Sequence, residues 1–95
     1  MLTDISVVIP AYNSERFVAE AIESALGQSH PPVEVIVIDD GSTDGTADVV
    51  RSFSDRVQYH YQENGGIGRA RNKGVELARC TFLSFLDSDD CWTEN

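Results

Sequence analysis

Residues 82–90 read FLSFLDSDD, an apolar run of strand length that ends in three carboxylates within four positions. This composition predicts a β-strand followed by a loop. In open α/β sheets, ligands bind beyond the carboxyl ends of the strands, which is where these acids would lie. Neighbouring carboxylates raise one another's pKa unless a cation lies among them, and a hard divalent ion is the simplest such cation. Taken alone, such a cluster is more often a solvated acidic loop.

The composition predicts one small domain or a piece of a larger one, and it argues against some partners. The chain has 95 residues, 41% of them hydrophobic, and a net charge of −9. That charge argues against broad electrostatic binding to nucleic acid or to an anionic membrane. Four of the seven basic residues nevertheless fall within eleven positions: Arg69, Arg71, Lys73 and Arg79. They could bind a small polyanion such as a diphosphate, or form a solvated helix face.

The sequence carries no predicted targeting or cross-linking signal. Cys80 and Cys91 are not spaced as a CxxC pair, so no disulfide framework is expected. The first residues include no basic region followed by a long apolar run, so we expect neither a signal peptide nor a transmembrane segment. A cytoplasmic setting is the resulting prediction.

Strand and helix patterns alternate along the chain. This alternation predicts a parallel sheet with right-handed crossovers. The predicted strands are Ile5–Ile9, Val33–Ile38, Val57–Tyr61 and a fourth that starts at Thr81. The predicted helices run from about Ser14 to Leu26 or Gln28, from Ala47 to Ser54 and from Gly68 to Arg79.

Several local expectations accompany these elements. Pro10 lacks a backbone donor and should end the first strand. Asn13 or Ser14 should cap the first helix. Tyr12 could pack in the core or stack on a planar ligand, with the core favoured. Phe17 and Ile67 fall on the apolar stripes of their helices and should be buried. The glycines at 65, 66 and 68 have neither dinucleotide-fingerprint nor P-loop spacing.

Acids follow two of the predicted strands. Asp39–Asp40 end the second strand and Asp87–Asp90 end the fourth, while the segment Pro10–Asn13 ends the first. Because parallel strands end at the same edge of a sheet, these three segments should meet. Such convergence indicates a binding site more strongly than any single motif does.

Four segments together resemble one enzyme family. They are Val7–Asn13, Val37–Thr46, Gly68–Gly74 and Phe85–Trp92, in family order and with family-like spacing. The chain resembles, over essentially its whole length, the N-terminal half of a family-two glycosyltransferase with the GT-A fold. This resemblance implies a Rossmann-like three-layer α/β/α half-domain with four mainly parallel strands in the order 3-2-1-4 and three helices.

The resemblance also implies a binding site for a nucleotide-diphosphate sugar, with uridine expected as the nucleoside. The residues implied to bind the nucleotide are Pro10, Ala11, Tyr12, Asn13, Asp39, Asp40, Arg71 and Asp87. Asp40 would accept a hydrogen bond from the base and Asp39 would support its loop, while Arg71 would contact the diphosphate or order a loop. Asp87-Ser88-Asp89 corresponds to the family's DxD motif. Its metal would be Mn²⁺ or Mg²⁺, with Asp89 as a direct ligand and Asp87 and Asp90 beside it.

The reaction implied by the resemblance is inverting glycosyl transfer. One carboxylate deprotonates the acceptor hydroxyl in that reaction, and in the family it belongs to the second, acceptor-binding half. We therefore expect residues 1–95 to form a single nucleotide-sugar-binding unit, with the general base beyond Asn95 and full turnover by this chain alone doubtful. The acceptor is not predicted.

Two other functions remain open from the sequence. A Mg²⁺-dependent receiver-like phosphoacceptor domain would need a lysine on a late strand, whereas Lys73 falls on a predicted helix. A non-catalytic interaction subunit could retain the nucleotide-binding half. In the complete fold implied by the resemblance, later strands would cover or pair with the fourth strand. Left alone, this strand is an exposed apolar edge, which predicts a homodimer or other oligomer that covers it.

Overall fold

The computed structural model of the protein describes residues 5–29 and 31–88. These residues form a four-stranded sheet with helices on both of its faces. The elements in chain order are β1 (Ile5–Ala11), α1 (Val18–Leu26), β2 (Glu34–Asp40), α2 (Thr46–Arg51), a short 3₁₀ helix (Ser54–Arg56), β3 (Gln58–Gln62), α3 (Ile67–Leu77) and β4 (Phe82–Phe85).

The sheet has the predicted order, β3-β2-β1-β4, and every pair of neighbours is parallel. The α/β class and the three-layer arrangement are therefore confirmed. The inner strands β1 and β2 consist mostly of β-branched residues, which suit a strand buried on both faces. All four strands point the same way, so their carboxyl ends share one edge of the sheet.

Pro10 does not end β1 as predicted, because the strand continues to Ala11 with Pro10 opposite Ile38. Along a strand with a parallel neighbour on each side, successive residues hydrogen-bond alternately to one neighbouring strand and to the other. The carbonyl of Val8 accepts the Leu86 N–H, at 3.0 Å, on the β4 side. Pro10 lies two residues after Val8 and therefore also faces β4. However, β4 ends at Phe85, which lies opposite Val8. The missing N–H of Pro10 therefore costs no ladder bond.

Each face of the sheet has its own apolar core. One core packs β1 and β2 against α1 and α2, with Ile9, Ile22 and Val50 fully buried. The other packs them against α3, through Val8 and Ala70. Gly74 allows this approach, since a Cβ there would overlap the side chain of Val8.

The first helix begins later than predicted. α1 starts at Val18, preceded by a turn in which the Ser14 carbonyl accepts the N–H groups of Phe17 and Val18. Asn13 and Ser14 are not its side-chain caps, because their side chains bond to residues distant in sequence. The second helix is also shorter, with α2 ending at Arg51.

The outer strand β4 presents apolar side chains to solvent. Phe82 is 53% exposed, and Leu83 and Phe85 are also exposed. Within the described part of the chain, β4 pairs with β1 on one side only. None of the helices among these residues has the length and apolarity to cross a bilayer.

Candidate functional site

A cavity of about 400 Å³ opens at the edge where the strands end. Six of the eight predicted nucleotide-binding residues line it, which brings the ends of β1, β2 and β4 together as the parallel topology requires. The lining residues are Pro10, Ala11, Tyr12, Asn13, Ser14, Phe17, Asp40, Ile67, Ala70, Asp87 and Ser88.

The apolar part of the cavity wall comes from residues that the sequence placed in the core. Tyr12 is 52% exposed, Phe17 47% and Ile67 54%. The core interpretation of these three side chains was wrong, because each lies at the end of an element, where the chain leaves the packed layers. Their exposed surfaces give the cavity flat apolar walls suited to a planar ring.

Asp40 is a buried carboxylate at the end of β2 whose surroundings favour the ionised form. Its Oδ1 accepts hydrogen bonds from Gln62 Nε2 at 3.0 Å and Gly65 N at 2.9 Å, and its Oδ2 accepts one from Gly66 N at 2.9 Å. Burial acts to raise its pKa, but these bonds and the charge of Arg69 outweigh it and lower the pKa below the ordinary value. Gly66 has a φ of 97°, a conformation that favours glycine.

Asp39 points away from the cavity and holds the loop that follows β2. Its Oδ2 accepts the Tyr59 hydroxyl at 2.6 Å, and its Oδ1 accepts Ser42 N at 2.9 Å. Burial and the Asp39 carboxylate both raise the pKa of Tyr59 above its ordinary value. Asp39 therefore joins β3 and the loop after β2, while its role toward a nucleotide stays a prediction.

Asn13 lines the cavity but also joins the loops after β1 and β2. Its Oδ1 accepts Thr43 N at 2.8 Å, and its own N–H donates to Ser42 Oγ at 2.8 Å. It has a positive φ of 47°, which asparagine tolerates better than most residues. The side-chain oxygen is thus engaged within the protein.

Arg71 reaches from α3 to the loop after β4. Its Nη2 donates to Asp87 Oδ1 at 3.3 Å, and its guanidinium carbon lies 5.6 Å from the centre of the Phe85 ring. The Nε atom is buried and makes no hydrogen bond with the described residues. Arg71 is therefore a neighbour of the cavity through Asp87 and does not itself line it.

Of the predicted metal ligands, only Asp87 lies among the described residues, and Asp89 and Asp90 lie outside them. The Asp87 side chain is partly exposed at the cavity. Hard carboxylate oxygens suit Mn²⁺ and Mg²⁺, so its chemistry fits the predicted ion. The described residues contain no group of three or more potential metal-binding side chains close enough to hold an ion.

The basic residues of α3 do not all face the same site. Arg69 and Lys73 line a second, open groove of about 690 Å³ between α3 and β3, with His60 and Glu76. Lys73 pairs there with Glu76 at 3.2 Å. Lys73 does not line the cavity at the strand ends, where a receiver-like phosphoacceptor site would need its lysine.

Sequence reasoning missed two serines of the site. Ser14 and Ser88 are both buried, and their hydroxyl oxygens lie 2.6 Å apart. Both were visible as polar residues beside predicted site segments, Ser14 after Asn13 and Ser88 between two acids. No local signal indicated that they meet, because 74 positions separate them.

Comparison with known proteins decides the family. A family model described as Glycosyl transferase family 2 matches residues 6–95. The chain belongs to this family. Among curated relatives it is 41% identical over 95 residues to the putative teichuronic acid biosynthesis glycosyltransferase TuaG of Bacillus subtilis, covering 96% of this chain and 38% of TuaG.

Solved structures of glycosyltransferases share the fold. The S. aureus TarS 1–349 complex with UDP-GlcNAc has a TM-score of 0.85 and 36% identity, over 93% of this chain and 27% of that one. The mannosyltransferase PcManGT of Pyrobaculum calidifontis, in complex with GDP-Man and Mn²⁺, has a TM-score of 0.88 and 26% identity, over 97% of this chain and 29% of that one. The fold is thus the GT-A half that the resemblance implied. The chain spans well under half the length of each of these three proteins.

Proposed function

We propose that this family 2 glycosyltransferase chain binds a nucleotide-diphosphate sugar, with a UDP-sugar expected, at the cavity formed by the ends of β1, β2 and β4. The observation that carries the proposal is the gathering of Tyr12, Asp40 and Asp87 around one cavity of about 400 Å³. The complexes of TarS with UDP-GlcNAc and of PcManGT with GDP-Man support the ligand class.

The base of the nucleotide would bind between the apolar wall and Asp40. Tyr12 and Ile67 offer exposed apolar surface to the faces of the ring. Asp40 Oδ2 accepts one hydrogen bond within the protein, from Gly66 N, and a carboxylate oxygen has room for a second. An ionised carboxylate accepts only, so it would favour a base that presents an N–H group.

Asp87 would hold the donor's diphosphate end through a divalent metal, Mn²⁺ or Mg²⁺, with Asp89 and Asp90 as the other proposed ligands. When bound, such an ion neutralises charge that develops on the leaving diphosphate. Arg71 would keep the Asp87 carboxylate directed at the cavity through its 3.3 Å contact. The PcManGT complex with Mn²⁺ supports the choice of ion.

The reaction that this donor site would serve is inverting glycosyl transfer to an acceptor. Deprotonation of the acceptor hydroxyl needs a general base, and we assign none among residues 5–29 and 31–88. We therefore propose residues 1–95 as one nucleotide-sugar-binding unit that depends on a further polypeptide segment for turnover. The alternative is a non-catalytic interaction subunit that retains this unit. A cytoplasmic setting stays a prediction.

We also propose that the exposed edge of β4 pairs with a second copy of the chain. An isologous contact of this kind would satisfy the unpaired backbone groups of both copies and cover their apolar side chains.

Calorimetric titration with UDP, with and without Mn²⁺, tests the donor site. We expect UDP to bind and Mn²⁺ to strengthen the binding. Asp40→Asn should weaken UDP binding about tenfold, because the amide turns one acceptor into a donor. Asp55→Asn, on the exposed 3₁₀ helix, is the matched control and should bind as the unsubstituted chain does. Absence of UDP binding in both conditions would overturn the proposal.

A further inference from the structure

Ser88 is the middle residue of the Asp87-Ser88-Asp89 motif, and its side chain is held within the protein. It is 8% exposed, and its hydroxyl oxygen lies 2.6 Å from Ser14 Oγ. Asp87 precedes it directly, and both residues line the cavity. The loop after β4 is therefore fastened to the loop after β1 at the residue next to the proposed ligand-binding carboxylate.

Ser14 has a second partner beside this hydrogen bond. Ser14 Oγ also lies 3.2 Å from the carbonyl oxygen of Tyr12, which can only accept. Either hydroxyl can donate in the 2.6 Å contact between the serines, and when Ser88 donates there, Ser14 can donate to the Tyr12 carbonyl. The same pair of bonds also links Ser88 to the carbonyl of Tyr12, another residue that lines the cavity.

Ser14 is itself anchored by the start of α2. Its backbone N–H donates to Thr46 Oγ1 at 2.9 Å, and the Thr46 hydroxyl donates to Asp44 Oδ1 at 2.6 Å. Thr46 is fully buried. The hydrogen bonds therefore run without a break from the loop after β2, through the loop after β1, to Ser88.

We infer that Ser88 is a positioning residue, whose hydrogen bond to Ser14 sets the Asp87 carboxylate in the orientation that the donor's metal and diphosphate require. The inference rests on the proposed function. Among the described residues, the Asp87 side chain is otherwise held by a single Arg71 contact of 3.3 Å between partly exposed side chains, which is a weak constraint. The buried serine pair holds the residue after Asp87, as the bond from Leu86 N–H to the Val8 carbonyl holds the residue before it.

The test uses three variants: Ser88→Ala, Ser14→Ala and the double variant. For each one, the dissociation constant of UDP measured without Mn²⁺ is divided by the constant measured with Mn²⁺. We expect each substitution to lower this ratio by about threefold to tenfold, the size of one net hydrogen bond. The double variant should lower it no further, because the two hydroxyls act as one link. Ser24→Ala removes a comparable bond, to Ala21 O at 2.9 Å on α1, and should leave the ratio unchanged.

A purely structural role would give a different result. Ser88→Ala would then lower the unfolding midpoint and leave the Mn²⁺-dependent gain in UDP affinity as it is, which would overturn the inference while the proposed function stands. If Ser88→Ala loses the Mn²⁺-dependent gain in UDP affinity at a temperature where the variant remains folded, the result supports the inference. If the unsubstituted chain does not bind UDP, the proposed function is overturned. If it binds UDP without any effect of Mn²⁺, the metal part of that function is overturned. The inference about Ser88 fails in both cases.

Discussion

Asp39 and Asp40 are adjacent in the chain and have different surroundings. Successive side chains of a strand point to opposite faces of the sheet, so one residue turns to Tyr59 and the other to the cavity and the start of α3. The family resemblance implied different roles for the two residues, and those roles stay predictions. The residues that hold Asp40, namely Gln62 and Gly66, were not predicted, because they come from a strand and a loop more than twenty positions away.

Glu34 is a buried carboxylate that the sequence interpretation treated as an ordinary strand residue. It accepts hydrogen bonds from Ser6 Oγ at 2.6 Å, Gln58 Nε2 at 2.7 Å and Arg79 N at 2.7 Å. It thereby joins β1, β3 and the segment before β4 at the end of the sheet away from the cavity. Burial acts to raise its pKa, but these bonds and the Arg79 charge lower it overall.

Glu34→Gln should lower the free energy of unfolding at pH 7 by about 1–3 kcal/mol, because an amide cannot accept from all of these donors. A depressed pKa stabilises the fold above the unfolded value of about 4.3, and this contribution is lost as pH falls through the lower folded value. The difference between variant and unsubstituted chain should therefore shrink below about pH 5, as measured by urea unfolding. Glu63→Gln changes an exposed side chain in the same way and should leave the free energy of unfolding at pH 7 within about 0.5 kcal/mol of the unsubstituted value. A loss in Glu34→Gln that is constant with pH would contradict the assignment.

At the scale of elements, the central residues of the helices and strands were predicted well, and their first and last residues less well. The apolar periodicity located α1, and its buried residues Val18, Ala21, Ile22 and Ala25 follow that pattern. Its start moved from Ser14 to Val18 because Ser14 bonds to Ser88 and Thr46. Local capping signals compete with such contacts, and here the contacts between distant segments prevail.

Gly74→Ala should lower the free energy of unfolding by about 1–3 kcal/mol, because its Cβ would overlap Val8 where α3 packs on the sheet. Gly68→Ala lies on the same helix with nothing within 4 Å of the added Cβ. That control should raise the free energy of unfolding by up to about 1 kcal/mol through helix propensity. Chemical denaturation of both variants checks the pair, and equal effects would argue against close packing at Gly74.

At the scale of the whole molecule, the sheet is asymmetric in what it leaves uncovered. β3 is an edge strand with polar Gln58 and Gln62, whereas β4 carries exposed Phe82 and Leu83. A charged side chain on an edge strand opposes pairing with another strand. The association proposed through β4 should therefore depend on the polarity of this edge.

Leu83→Lys should shift the chain from dimer to monomer, as measured by sedimentation equilibrium. Val33→Lys places the same charge on a 63% exposed residue elsewhere and should leave the dimer intact. If the unsubstituted chain is a monomer at every accessible concentration, or if both variants dissociate alike, association through β4 is excluded.

The sequence by itself determined the α/β class, the type and order of the elements and the family. These depend on hydrophobic periodicity, on turn residues and on four motifs in sequence order, all of which are local patterns. The strand order came from the resemblance carried by those motifs. Only the tertiary structure decided that Tyr12 and Ile67 form an exposed cavity wall, that Pro10 continues β1, and that Ser88 bonds to Ser14. These features depend on which distant segments come to lie side by side, and that is fixed by the packing of the whole sheet and its helices.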